Sequence, residues 1–206
     1  NIFSPASKDD INLFKTKYGI LKPYFLLVGA GEGYKNSILF FKAFAQISSR
    51  QGFDIVCTGS GWSAEIDYRD YTSGSTVHIL QLSDEELSIA YSGAVALVYP
   101  SKYEGFGLPV LEALACGCPV ITCPNGAIPE VAGEAAIYVN DWNVNEMVNA
   151  LCDVQKPDIR NSLIITGLQQ AKKFSWSKMA DIVSYALIDA TLLPLNLRDT
   201  NFIIFP

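Results

Sequence analysis

Short runs of Val, Ile, Leu and Tyr alternate along the chain with longer stretches in which apolar side chains recur at helical spacing. Tyr24–Gly29 (YFLLVG) reads as a strand, and a helix is predicted from about Asn36 to Arg50, with Ile38, Phe41, Ala45 and Ser48/Ser49 along one side. Phe53–Thr58 is the next predicted strand, followed by a short helix near Trp62–Tyr71 and a third strand at Val77–Leu80. Ser83 and Glu86 have capping-box spacing and open a helix that runs to Ser92. Ala94–Tyr99 reads as a wholly apolar strand, Pro109–Ala115 as a helix start, and Pro119–Cys123 and Ala135–Val139 as further strands. Helices near Asn143–Val154, Asp158–Phe174 and Trp176–Ala190 complete the pattern.

Strands and helices alternating in this way imply βαβ units and an α/β fold, a Rossmann-like doubly wound parallel sheet. The strands are apolar on both faces, as a sheet covered by helices on both sides requires. The expected organisation is a lead-in segment over 1–23 with one helix capped by Ser7, a single domain over 24–190, and a tail over 191–206. The chain begins at Asn1 rather than Met, which is expected of a piece of a longer protein. The apolar tail, with two prolines and no clear period, is expected to dock on a domain outside this chain.

Composition narrows the partners. Lys and Arg number 15 against 21 acids, and the net charge of −6 works against a nucleic-acid partner, which needs a basic face. The longest apolar runs have strand length, short of the ~20 residues that a membrane-spanning helix needs. Five cysteines, an odd count set largely in apolar stretches, read as the reduced, buried thiols of a cytoplasmic protein rather than a disulfide framework. Cys116-Gly-Cys118 is too closely spaced for a structural zinc knuckle. His78, the single histidine, enters a strand without an accompanying nucleophile motif and reads as structural. No Asp-x-Asp pair or His/Cys/Asp cluster has metal spacing, so neither a metal nor a cofactor is expected.

Ligands of a doubly wound sheet bind beyond the carboxyl ends of its strands, and three loops leave the predicted strands there. The first, Gly29-Ala-Gly-Glu-Gly-Tyr-Lys35-Asn36, combines glycines at Gly31 and Gly33 with a lysine, as an anion site requires. It is not a Walker loop, because Lys35 is followed by Asn36, and a dinucleotide fingerprint would need its third glycine where Tyr34 stands. A plain flexible turn remains the alternative reading. The second loop, Pro100–Ala113 (PSKYEGFGLPVLEA), places Gly105 and Gly107 before a helix that Pro109 suits at its first position. Amides and dipole at that start favour phosphate. Glu104 and Glu112 are eight positions apart, a spacing that lets two hydroxyl-accepting carboxylates face one cleft. The opposing reading makes Glu104 a solvated loop acid and Glu112 a first-turn complement to the helix dipole, and the residues alone do not choose. The third loop, Cys123–Glu130, is either another wall of the crevice or a connecting turn.

The run Pro100–Thr122, PSKYEGFGLPVLEALACGCPVIT, resembles the E-x7-E segment of the retaining family-four glycosyltransferases. The similarity extends in order through Phe25–Asn36, Thr58-Gly-Ser-Gly61, Leu82–Leu87, Ile128-Pro-Glu-Val131 and Phe174-Ser-Trp176. The resemblance implies the C-terminal, donor-binding half of a two-domain GT-B enzyme that needs no metal. Its partners would be a UDP- or GDP-linked sugar, an N-terminal acceptor domain, and a glycan, lipid-linked or small-molecule acceptor. It implies that Glu112 binds the ribose hydroxyls and Glu104 the transferred sugar. The amides of Phe106, Gly107 and Leu108, beside Gly105, would hold sugar and phosphate, and Lys35 would neutralise the departing diphosphate. The family places an arginine where Ala30 stands here, and loss of one such donor typically costs ~3 kcal/mol. Either backbone amides of Gly31–Gly33 compensate, or a cation comes from elsewhere, or turnover is weak. Without its acceptor domain the isolated half is expected to be inactive or weakly active. The resemblance also implies a cytoplasmic protein, peripheral at the membrane through the other domain. A non-catalytic sugar-nucleotide-binding relative and a Rossmann-type oxidoreductase are the competing function classes.

Overall fold

The computed structural model describes residues 2–59 and 68–192. Eight α-helices are found among them: α1 Lys8–Tyr18, α2 Ser37–Phe44, α3 Asp84–Gly93, α4 Leu108–Ala115, α5 Ile128–Ala132, α6 Val144–Asp153, α7 Pro157–Ala171 and α8 Trp176–Leu192. The strands are β1 Tyr24–Val28, β2 Asp54–Thr58, β3 Val77–Leu80, β4 Ala96–Tyr99, β5 Val120–Thr122 and β6 Ala136–Tyr138. They form one parallel sheet in the order β3-β2-β1-β4-β5-β6. This is the doubly wound Rossmann-like arrangement expected, and its order reverses between β1 and β4. The motif residues Ser60 and Gly61, most of the helix expected near Trp62–Tyr71, and the tail beyond Leu192 lie outside the described residues. Tyr68–Tyr71, the end of that expected helix, forms a short 3-10 turn.

Alternating side chains along the strands feed two separate cores. Phe25, Leu27, Ile55 and Val98 pack with Phe40, Phe41 and Phe44 of α2 and with Met147 and Leu151 of α6. Tyr24, Leu26, Val56, Leu97 and Tyr99 pack on the opposite face with Tyr91 of α3, Val110 and Leu114 of α4, and Ile128 of α5. Burial on both faces explains why these strands read as unbroken apolar runs.

Local signals set most of the element ends. Ser7 accepts the backbone N–H of Asp10, and Ser83 and Glu86 form the complete capping box at α3. Helix α2 ends at Phe44, well before the expected Arg50. Beyond it, β-branched Ile47 and the hydroxyls of Ser48 and Ser49 favour turns, and Arg50–Gly52 is a 3-10 turn.

The compact unit spans Asn1–Ala171, so it takes in the lead-in segment and stops short of the Ala190 boundary expected from the sequence. Within it, Phe3 packs edge-on against Tyr91, and α7 lies against α4. Arg160 of α7 donates to the carbonyls of Ala94 and Val95, at the entrance to β4. The second unit, Lys172–Pro206, contains α8, whose Ser175 accepts the Lys178 N–H as its N-cap. No helix among the described residues is long and apolar enough to cross a membrane.

Four cysteines are buried as expected, and burial pushes the Cys118 and Cys123 thiols up to about 12. Cys152 on α6 departs from the expectation and is exposed. His78 sits in β3 with its Nε2 buried and 3.8 Å from Asp54, which itself accepts the backbone N–H groups of Lys22 and Thr76. Asp54 opens β2, at the sheet edge opposite the carboxyl ends, so this group ties loops together at the far side of the domain.

Candidate functional site

The reversal of strand order between β1 and β4 opens a crevice at their carboxyl ends, because the following helices pass to opposite faces of the sheet. The loop leaving β1 carries Lys35, and the loop leaving β4 carries Glu104. The two side chains meet across that point: Lys35 Nζ donates to Glu104 Oε1 at 2.8 Å, with only 12% and 11% of the side chains exposed. Glu104 is therefore not a solvated loop acid. Burial would raise its carboxyl, but the Lys35 hydrogen bond and the neighbouring Ser101 and Tyr99 hydroxyls outweigh that and hold it below the usual carboxylate range.

The surrounding loops are knit together by backbone and amide hydrogen bonds. Lys102 N–H donates to the carbonyl of Tyr34 at 2.9 Å, joining the β1 and β4 loops. Asn36 donates from its amide to the carbonyls of Pro100 and Asp141, and Asn125 donates to that of Ser101. Loops after β1, β4, β5 and β6 are thus held in one frame. Asn36 adopts a left-handed φ of 56°, the sole non-glycine to do so among the described residues, directly after Lys35. Such backbone strain persists only where surroundings enforce it, and here two carbonyls clamp the side chain.

Two glycines are required by close approach. Gly107 (φ 92°) caps α4, and a Cβ there would lie 2.4 Å from Ile128 Cδ1. Gly126 (φ 60°) passes so near Glu104 that a Cβ would fall 2.2 Å from its carbonyl oxygen, which also accepts the Ala127 N–H at 3.1 Å. Gly126→Ala is expected to lower stability by about 1–3 kcal/mol through the strained φ and forced displacement of the Glu104 loop. Denaturant unfolding measures it; an unchanged midpoint would show that the loop yields freely.

The sequence placed Glu112 in the first turn of α4, but the helix starts at Leu108, and Glu112 follows its first turn, which holds no acid. The dipole falls off within that turn, which removes the main support for reading Glu112 as its complement. Glu112 instead accepts from the hydroxyl of Tyr91 at 3.0 Å. Burial raises its carboxyl above the usual range, with the Tyr91 hydrogen bond opposing. Glu104 and Glu112 accordingly have separate partners, one at the crevice and one on the α3 side. Gly31 and Gly33 lie in the β1 loop beside Lys35, and Gly105, Phe106, Gly107 and Leu108 lead into α4, with all of these but Gly107 at least partly exposed. Ala30 is 2% exposed and packs in the first core, so that position sends nothing to the crevice.

Sequence reasoning passed over Tyr99 and Asn36. Tyr99 was visible as a residue with a polar end closing an otherwise apolar strand, and Asn36 as an amide next to the lysine. Among the described residues no group of three or more His, Cys, Asp or Glu is placed to hold a metal ion.

A family model described as "Glycosyl transferases group 1" matches residues 22–156. The chain is 33% identical over 161 residues to O-antigen chain mannosyltransferase B of Escherichia coli, covering 74% of this chain and 42% of that protein. It is 34% identical over 161 residues to O-antigen chain mannosyltransferase RfbU of Salmonella typhimurium, covering 76% of this chain and 44% of that one. The chain therefore spans less than half the length of these relatives. Among solved structures, Anabaena Alr3699/HepE in complex with UDP-glucose superposes with a TM-score of 0.79 at 16% identity, over 92% of this chain and 55% of that one. Sucrose-phosphate synthase of Thermosynechococcus elongatus gives 0.76 at 24% identity, over 92% of this chain and 50% of its own.

Proposed function

We propose that this chain, which belongs to the group 1 glycosyltransferases, is the donor half of a GT-B enzyme that binds a nucleoside-diphosphate hexose at the crevice between β1 and β4. The observation that carries the reading is the Lys35–Glu104 pair at the point where the strand order reverses, beside the start of α4. In the full-length protein, an acceptor hydroxyl oxygen forms the new bond to the sugar's anomeric carbon and passes its proton to the departing diphosphate. The bond from that carbon to the donor phosphate breaks, and its electron pair leaves with the nucleoside diphosphate. Lys35 faces the charge that develops on the diphosphate, and Glu104 accepts hydrogen bonds from the sugar hydroxyls. Amides of Phe106, Gly107 and Leu108 at the α4 start hold sugar and phosphate, and Glu112 accepts from the ribose hydroxyls. Transfer proceeds with retention and without a metal or other cofactor. The sugar is UDP- or GDP-linked, and the names of the two bacterial relatives favour a mannosyl donor. An N-terminal domain of the same protein positions the glycan, lipid-linked or small-molecule acceptor, in glycan biosynthesis on the cytoplasmic side of a membrane.

Calorimetry of the chain with UDP, GDP, ADP and NAD tests the reading. Binding of one nucleoside diphosphate is expected; NAD binding with none of the three would overturn it. Glu112→Ala is expected to weaken that binding by about 1–3 kcal/mol, the scale of a charge-assisted hydrogen bond. Unchanged affinity would remove Glu112 from the ribose site. The burial of Ala30 favours one second reading, a sugar-nucleotide-binding relative without turnover. Intact binding with no transfer or donor hydrolysis by the full-length protein would select it.

A further inference from the structure

The donor reading gives Lys35 and Glu104 different ligand groups, yet in the structure each is the other's partner. A sugar diphosphate therefore competes with that pair, drawing the ammonium toward phosphate and the carboxylate toward hydroxyls. Under that competition the aim of Lys35 depends on its other contacts.

Tyr99, the last residue of β4, is 1% exposed and touches Lys35. Lys35 Nζ donates to its hydroxyl and lies 4.6 Å from the centroid of its ring. Toward the ammonium the phenol's lone pair accepts. Burial, followed by the neighbouring Glu104 carboxylate, holds the phenol far above its ordinary value, so it stays neutral beside that charge. The half-exposed ring of Tyr34, 4.8 Å from the ammonium, forms a second aromatic wall. Thr122 Oγ1 donates to the Tyr99 carbonyl at 2.8 Å and fixes the end of the strand.

We propose that Tyr99 is a positioning residue of the donor site, whose hydroxyl and ring keep Lys35 aimed into the crevice when a sugar diphosphate competes with Glu104 for its ammonium. The inference rests on the donor reading of the same site. It assigns Tyr99 no contact with the reacting atoms; it acts through Lys35.

Tyr99→Phe keeps the ring, and with it most of the packing and the cation–π contact, and removes only the hydroxyl's hydrogen bond with Lys35. The test is calorimetry of the 206-residue chain with UDP against UMP and GDP against GMP, with the ligand-free Tm as a folding control. The variant is expected to bind the diphosphate about three- to ten-fold more weakly, the scale of one lost hydrogen bond. Monophosphate affinity is expected to stay unchanged, so that the preference for the diphosphate shrinks. In a Lys35→Ala background, Tyr99→Phe is expected to have no further effect, because its action passes through the ammonium. Equal weakening of mono- and diphosphate, full additivity with Lys35→Ala, or unchanged diphosphate affinity would each overturn the positioning role. If the unsubstituted chain binds neither UDP nor GDP, the donor reading falls with it. If it binds one of them and Lys35→Ala weakens that binding while Tyr99→Phe does not, only the role of Tyr99 falls.

Discussion

Replacing Lys35 with alanine is expected to slow sugar transfer by the full-length protein about 10²–10³-fold, the scale seen when one preorganised donor to a developing oxyanion is removed. The effect should be large because Ala30 is buried in the core and supplies no second cation to the crevice. Nucleoside diphosphate affinity should fall as well, and the difference between the two proteins should widen at low salt, since phosphate and ammonium attract more strongly when less screened. The substitution also leaves Glu104, 11% exposed, without its ion-pair partner, so the fold has to be monitored alongside. Lys35→Arg serves as the companion variant: it restores the charge, and partial recovery of transfer with a restored Tm is the expected result. Full activity of Lys35→Ala in a kinetic assay would show that the diphosphate is neutralised elsewhere.

The second large effect is expected at Glu104, with the opposite split between binding and turnover. Glu104→Gln in the full-length protein should lose transfer by about 10²-fold or more, since a charged acceptor for sugar hydroxyls becomes a neutral amide. Affinity for the bare nucleoside diphosphate should not fall, because the substitution frees Lys35 from a competing carboxylate. Transfer kinetics and calorimetry of the same variant measure both. A parallel loss of diphosphate affinity would mean that Glu104 chiefly holds the loop rather than the sugar. As Glu104 is held below the ordinary carboxylate range, the ion pair persists through neutral pH. Its contribution to stability is lost only as the pH falls through that lowered value.

The alternation of apolar strands and periodic helices made the doubly wound sheet legible, and its strand order was the arrangement such units adopt. Helix starts were legible where a side chain supplies the cap, as at Ser7 and Ser83, because that chemistry is local. The end of α2 was not, since Asn36–Arg50 carries a helical apolar period past the point where Ser48 and Ser49 turn the chain. Glu112 was misplaced by part of a turn for the same kind of reason: Pro109 marks a helix start without fixing which residue opens it.

By itself the sequence determined the family and singled out the candidate residues: a lysine after one apolar strand, and two acids around a glycine-flanked helix start after another. It could not determine how they pair. Lys35 and Glu104 are 69 positions apart, and their contact exists because β1 and β4 become neighbours where the sheet reverses its order. The same long-range step sets Tyr99 against Lys35 and pairs Glu112 with Tyr91. Ion pairing and burial depend on distance in space, and for residues so far apart in the chain only the packed sheet fixes that distance.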